Sequence, residues 1–121
     1  MKYRFNAGAL VQDGDQGIAE PKGQWMYGSN GYWYQRPDGT YPYDEKILID
    51  DRTYYFNESG YMQTGWQWID GSYYYFNGSG HMLTNWQWID GYCYYFYSDG
   101  HMAKDETIGG STVDSSGAWI Y

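Results

Sequence analysis

The chain has one cysteine, Cys93, and three prolines in 121 residues. A single cysteine leaves no intrachain disulfide, so stability has to come from packing. Aliphatic side chains are scarce, which rules against an ordinary core of leucine, isoleucine and valine. Basic residues are few, seven against fifteen acidic, for a net charge of −8. Phosphate contacts need a basic surface, so no nucleic-acid partner is expected. No apolar run approaches the roughly 20 residues of a membrane-spanning helix, and no membrane insertion is expected. Residues 1–20 have no signal-peptide apolar segment, so any export signal is expected outside this sequence. No Ser/His/Asp or paired-carboxylate arrangement stands apart from turn chemistry. No catalytic residue, metal site or cofactor is assigned, and the chain is read as a non-enzyme.

Aromatic residues are what the sequence has in quantity. They make up 23% of the chain, with 7 Trp, 17 Tyr and 4 Phe, beside 17 glycines. Each ring can bury about 150–250 Å², and so high an aromatic content excludes disorder. The rings recur with a period. Trp66-Gln67-Trp68-Ile69-Asp70-Gly71 leads into Ser72-Tyr73-Tyr74-Tyr75-Phe76 and on to Gly80-His81-Met82. The same order returns 20 residues later, from Trp86 to Met102. Lys46 to Met62 fits the same frame, with Asp50-Asp51 at the turn. Trp25 to Gly39 fits more loosely, around Asn30-Gly31. Tyr3 to Gly8 resembles Tyr54 to Gly60 with one residue missing, so the sequence is expected to begin inside a partial or diverged repeat.

Each period carries a hairpin signal. Asp70-Gly71 and Asp90-Gly91 suit the positive φ angles of a two-residue type I′ turn, and the flanks are strand formers. A lone hairpin is marginal in water, whereas stacking at a fixed period buries a continuous core. The expected fold is all-β, a β-solenoid of stacked two-stranded hairpins with turns at 50–51, 70–71 and 90–91. A turn at Asp70-Gly71 puts Trp66, Trp68, Tyr73 and Tyr75 on one face and Gln67, Ile69, Tyr74 and Phe76 on the other. The second set keeps its apolar members in all three units (Ile49, Tyr54, Phe56; Ile69, Tyr74, Phe76; Ile89, Tyr94, Phe96) and is the expected core. The first set varies, to Lys46, Leu48, Thr53 and Tyr55 or to Trp86, Trp88, Cys93 and Tyr95, and is the expected ligand face.

The run from Gly65-Trp66 through Tyr73-Tyr74-Tyr75-Phe76 to Gly80-His81-Met82 resembles the choline-binding, or cell-wall-binding, repeats of Gram-positive surface proteins. Glucan-binding and clostridial toxin repeats are similar. The resemblance covers about residues 24–102. It implies a quaternary ammonium held between successive hairpins by the Gly-Trp tryptophan, the aromatic seven residues later and an aromatic of the next unit. Cation–π attraction supplies the energy, about 0.5–1 kcal/mol per exposed ring and about 2 or more when desolvated. On this chain the expected ligand residues are Trp66 and Tyr73 with Trp86 as third wall, and Trp25 with Trp33 in the first unit. Cys93 removes a wall after Trp86, and Lys46 and Thr53 replace both walls in the preceding unit.

Three domains are expected: 1–23 a partial N-terminal repeat and linker, 24–104 the hairpin repeats, and 105–121 a C-terminal capping repeat. The function expected from the resemblance is a secreted or cell-surface attachment module that binds choline on teichoic acid. The alternatives are a module for neutral glucan and a structural spacer or stalk that pairs as a homodimer through its ends. His81 and His101 read as surface histidines rather than metal ligands. Asp13 to Gly17 reads as a polar turn rather than a calcium loop, and Cys93 as a packed thiol.

Overall fold

The computed structural model describes residues 20–121, so the expectations for Tyr3 to Gly8 and Asp13 to Gly17 fall outside the described residues. Ten strands pair in chain order as five antiparallel hairpins. They are β1 (Gln24–Gly28) with β2 (Gly31–Gln35), β3 (Glu45–Ile49) with β4 (Arg52–Phe56), and β5 (Gly65–Ile69) with β6 (Ser72–Phe76). β7 (Asn85–Ile89) pairs with β8 (Tyr92–Phe96), and β9 (Glu106–Ile108) with β10 (Ser111–Val113). The expected all-β fold of stacked hairpins is the one observed.

The turns explain the register. Asp50 and Asp51 take φ of 49° and 68°, Asp70 and Gly71 49° and 86°, and Asp90 and Gly91 52° and 89°. Both central residues are therefore left-handed, as a type I′ turn requires. Gly109 and Gly110 repeat this at 57° and 90° in the fifth hairpin. The first hairpin departs from expectation. Its last pair is Gly28 with Gly31, so the turn is Ser29-Asn30 rather than Asn30-Gly31, and Gly31 takes the positive φ, 120°. The one-residue shift puts Trp25 opposite Tyr34 and Met26 opposite Trp33. It thereby turns Trp25 toward the core, where its ring packs. Ring burial outweighs the local preference of Asn-Gly for a type I′ turn.

The segment after each of the second to fifth hairpins links it to the one before. Met62, Met82 and Met102 bridge back to Phe56, Phe76 and Phe96, and Trp119 to Val113. The methionine N–H groups reach the previous hairpin: Met62 N–H donates to Tyr32 O at 2.7 Å, Met82 to Thr53 O at 2.9 Å and Met102 to Tyr73 O at 2.9 Å. Trp119 does the same to Cys93 O at 2.8 Å. The next residue returns to its own hairpin, as in Gln63 N–H to Tyr55 O at 2.8 Å and Ala103 N–H to Tyr95 O at 2.9 Å. Backbone groups are thus paired alternately within and between hairpins, which answers the exposed-edge problem of a two-stranded sheet. Three of the links are entered by a side-chain cap. Asn57 Oδ1 accepts from Ser59 N and Tyr61 N, Asn77 Oδ1 from Ser79 N and His81 N, and Asp114 Oδ1 from Ser116 N and Ala118 N.

The described residues fall into two compact units. The first runs to Gly65 and includes Phe76–Met82; the second holds Trp66–Tyr75 and Leu83–Tyr121. In the first, Tyr34, Ile47, Ile49, Tyr54 and Phe56 form the core, with Trp25 and Met62 packed against it. In the second, Ile89, Phe96 and Met102 form a core, with Trp66, Tyr75 and Tyr94 against it. Phe56, Phe76 and Phe96 are completely buried, and Ile49, Ile69 and Ile89 are buried with them. The face expected to be constant is therefore the core. The second hairpin corrects the other half of that expectation, because Leu48 and Thr53 on its variable face are also buried. They are small where the third hairpin has Trp68 and Tyr73. The lead-in to β1 closes in here: Glu20 N–H donates to Leu48 O at 3.1 Å, the Glu20 carboxylate pairs with Arg36 at 2.5 Å, and Tyr34 OH accepts from Gly23 N at 2.5 Å.

Candidate aromatic cages for a quaternary ammonium

Trp25 and Trp66 sit in matching cradles. Trp25 meets Tyr34 of its own hairpin at 5.2 Å between ring centroids, Tyr54 of the next hairpin at 4.8 Å and Phe56 at 5.8 Å. Trp66 meets Tyr75 at 5.1 Å, Tyr94 of the next hairpin at 4.9 Å and Phe96 at 5.8 Å. The tyrosine contacts are edge-to-face in both, the arrangement ring quadrupoles favour. Each tryptophan is held by a completely buried phenylalanine beneath it and keeps part of its surface open.

Around each tryptophan the same four positions converge. Trp25, Tyr32, Tyr54 and Met62 line one cavity of about 350 Å³, with Gly78 and Ser79 at its edge. In the second unit Tyr73 lies 6.0 Å from Trp66, edge-on, and Met102 N–H is bonded to Tyr73 O. Tyr73 and Met102 line a narrower cavity of about 90 Å³ with Trp68, Gly71, Ser72, Lys104, Ser115 and Ser116. Tyr32 stands seven residues after Trp25, and Tyr73 seven after Trp66. Burial raises the hydroxyl pKa values of Tyr54 and Tyr94. Both rings are therefore neutral at physiological pH and present a negative π face. Three rings and a methionine sulfur, with no fixed cation among the four, suit a soft organic cation.

The structure brings Trp66 and Tyr73 together as the sequence suggested, and places the remaining expected residues differently. The ring that closes on Trp66 from the next hairpin is Tyr94. Trp86 packs on Tyr95 of its own hairpin at 5.0 Å. In the first hairpin Trp25 joins Tyr32. Trp33 is on the opposite face of the sheet, where it meets Tyr41 edge-on at 5.8 Å. The sequence reading did not include Tyr32, Tyr54, Tyr94 or the two methionines. The signal for Tyr54 and Tyr94 was present, since they are the middle rings of the Tyr-Tyr-Phe runs, but their apolar constancy marked them as core. Tyr54 serves as both, buried in the core while lining the cavity, and half-buried Tyr94 packs against the second core and on Trp66.

The other hairpins carry incomplete sets. Lys46 and Thr53 stand at the two leading positions in the second. In the fourth, Trp86 is followed by Cys93, and the fifth hairpin offers Ser111 and Trp119 where Tyr94 and Met102 stand one hairpin earlier. Burial raises the Cys93 thiol pKa, which fits a packed thiol. His81 sits edge-on to Tyr54 at 5.4 Å, and burial followed by the charge of Arg52 lowers its pKa. His101 Nδ1 lies 2.6 Å from Asp99 Oδ1. No group of three potential metal ligands occurs among the described residues. An opening of about 480 Å³ near Lys22, Gln24, Gln35 and Arg36 is lined by no ring.

Comparison with known proteins agrees with this fold. Choline-binding protein F of Streptococcus pneumoniae, solved in the presence of a peptidoglycan analogue, superposes with a TM-score of 0.77 at 29% identity, over 93% of this chain and 37% of that one. The multimodular pneumococcal cell-wall endolysin of phage Cp-1, solved with choline, superposes at 0.68 with 28% identity, over 84% of this chain and 32% of that one. The lysin of Pneumococcus phage Dp-1 is 44% identical over 46 residues, which are 36% of this chain and 16% of the lysin. The chain spans about a third of the length of these solved relatives. The choline-binding repeat pattern itself matches residues 46–85 and 83–121, so the chain belongs to the choline-binding repeat family.

Proposed function

We propose that this chain is a non-catalytic attachment module that docks on the choline groups of cell-wall teichoic acid through two aromatic cages. One cage is Trp25, Tyr32, Tyr54 and Met62; the other is Trp66, Tyr73, Tyr94 and Met102. The observation that carries the reading is the repetition of one tryptophan cradle, with matching ring distances, in two hairpins that otherwise differ at their edges. A core needs no such repetition of half-open rings, and a quaternary ammonium needs three or four of them. The −8 charge suits a cationic ligand as well.

A single cage with tyrosine walls binds weakly, near millimolar, or about −4 kcal/mol. Two cages on one polymer raise the effective affinity by avidity, which is how weak sites give firm attachment at a cell surface. Titrating choline and a soluble glucan oligomer while following tryptophan emission tests the reading. Saturable change with choline supports it. Change with the glucan alone transfers the site to neutral sugars stacking on the exposed Trp68 and Trp88, and no change with either leaves a structural spacer.

A further inference from the structure

The rims of the two cages differ by one charge. In the first, the edge beyond Met62 is Gly78 and Ser79, both neutral. In the second, two cage members, Tyr73 and Met102, also line an adjoining cavity with Trp68, Lys104, Ser115 and Ser116, which neither Trp66 nor Tyr94 lines. Lys104 has no counterpart in the earlier repeats, where Thr64 and Thr84 hold its position. Its side chain is exposed, and its backbone N–H, not its ammonium, meets Glu106 Oε2 at 3.2 Å. The neighbouring carboxylates are engaged. Glu106 also accepts from Tyr97 OH, and Asp114 from Ser116 N, Ser116 Oγ and Ala118 N. A bare cation beside a cage for cations opposes a simple quaternary ammonium, unless the ligand brings an anion to meet it.

We propose that Lys104 makes the second cage selective for zwitterionic ligands, a quaternary ammonium with a phosphate or carboxylate a few bonds away, while the first cage accepts the ammonium alone. The inference rests on the cages binding quaternary ammonium groups at all. The ammonium enters between Trp66, Tyr73 and Tyr94, and the anion lies at the rim against Lys104 and the Ser115 hydroxyl. Attraction at so exposed a lysine is modest and screened by salt, so it adjusts preference between ligands rather than creating a site.

The test uses the full chain with Tyr32→Ser, which removes a wall of the first cage, and compares choline, phosphocholine and glycine betaine. Phosphocholine is expected to bind about three- to fivefold tighter than choline, with the preference shrinking in about 1 M salt, where the screening length is roughly 3 Å. Lys104→Thr should abolish the preference and Lys104→Arg should retain it. Betaine sharing the preference assigns it to charge alone; phosphocholine alone assigns it to the longer reach of a phosphate. Equal binding of choline and phosphocholine, unchanged by Lys104→Thr, overturns the inference while leaving the cages in place. Absence of binding by any of the three overturns the function itself. Should Tyr32→Ser fail to fold, the same comparison is read on the unmodified chain at the Trp25 and Trp66 indole N–H resonances separately.

Discussion

The first and third hairpins hold their tryptophans almost identically, yet the cavities beside them are unlike. Trp25 and Trp66 are each 5.8 Å from a buried phenylalanine and just under 5 Å from a tyrosine of the following hairpin. Trp25 lines a cavity of about 350 Å³, whereas the cavity of about 90 Å³ at the third hairpin is lined by Trp68 and Tyr73 and not by Trp66. The cradle is set by the core, which the repeat keeps. The mouth is set by loop and turn residues, which it does not: Tyr27 is replaced by Trp68, Gly78 by Ser115, and a position held by threonine elsewhere by Lys104. One repeat can thus preserve how a ring is held while changing what the ring meets.

The strongest way to break the comparison is to remove a cradle floor. Phe56→Ala and Phe96→Ala should each cost about 3–5 kcal/mol in denaturant unfolding and each should silence its own cage. Phe76→Ala, whose ring neighbour is Tyr55, should cost as much and leave choline binding at both cages in the fraction that remains folded. A loss below about 1 kcal/mol at any of the three would mean the floor is not where the stability lies.

Removing a wall should act on the ligand more than on the fold. Tyr32 and Tyr73 are 48% and 43% exposed, so Tyr32→Ala and Tyr73→Ala should weaken choline at their own cages by about five- to thirtyfold, the value of one partly desolvated ring. Each should move the melting temperature little. Tyr73→Trp sharpens the comparison in the other direction and should tighten the second cage by about threefold without affecting the first. Equal effects at both cages would show that the two do not bind independently.

The smallest effects should appear with pH. Hydrogen bonding to Glu106, then burial, pushes the Tyr97 hydroxyl pKa up to about 12. Its folded value lies above its unfolded one, so its contribution is complete below about pH 10 and is lost as pH rises toward 12. Buried Tyr34, Tyr54 and Tyr74 are raised as well and add to the same alkaline loss. His81 works oppositely: its lowered pKa gives stability present above the ordinary histidine value and lost as pH falls through the folded one. Denaturation midpoints should therefore decline above pH 10 and slightly below 6.5, and Tyr97→Phe should soften only the alkaline decline.

The sequence was most legible where chemistry repeats. Asp-Gly at a spacing of 20 located the turns, and the unchanging Ile, Tyr and Phe positions located the core. Trp66 with Tyr73 followed from strand alternation. The first hairpin was read one residue out of register because Asn30-Gly31 is a strong local turn signal, and only the packing of Trp25 on Tyr54 and Phe56 overrides it. The partner rings from the next hairpin were not legible, because alternation within a hairpin says nothing about which edge of a core tyrosine remains open. That depends on where the following segment ties back, through Met62 to Tyr32 and Met102 to Tyr73, a contact about 30 residues apart in sequence.

The central claim is that the chain holds two cages, around Trp25 and Trp66. A choline titration followed at the indole N–H resonances of the seven tryptophans tests it most directly. Saturable shifts of Trp25 and Trp66 are expected at millimolar choline, the first removed by Tyr32→Ser and the second by Tyr73→Ser. Shifts confined to Trp33 or Trp86, or resonances that stay in place up to tens of millimolar, would contradict it.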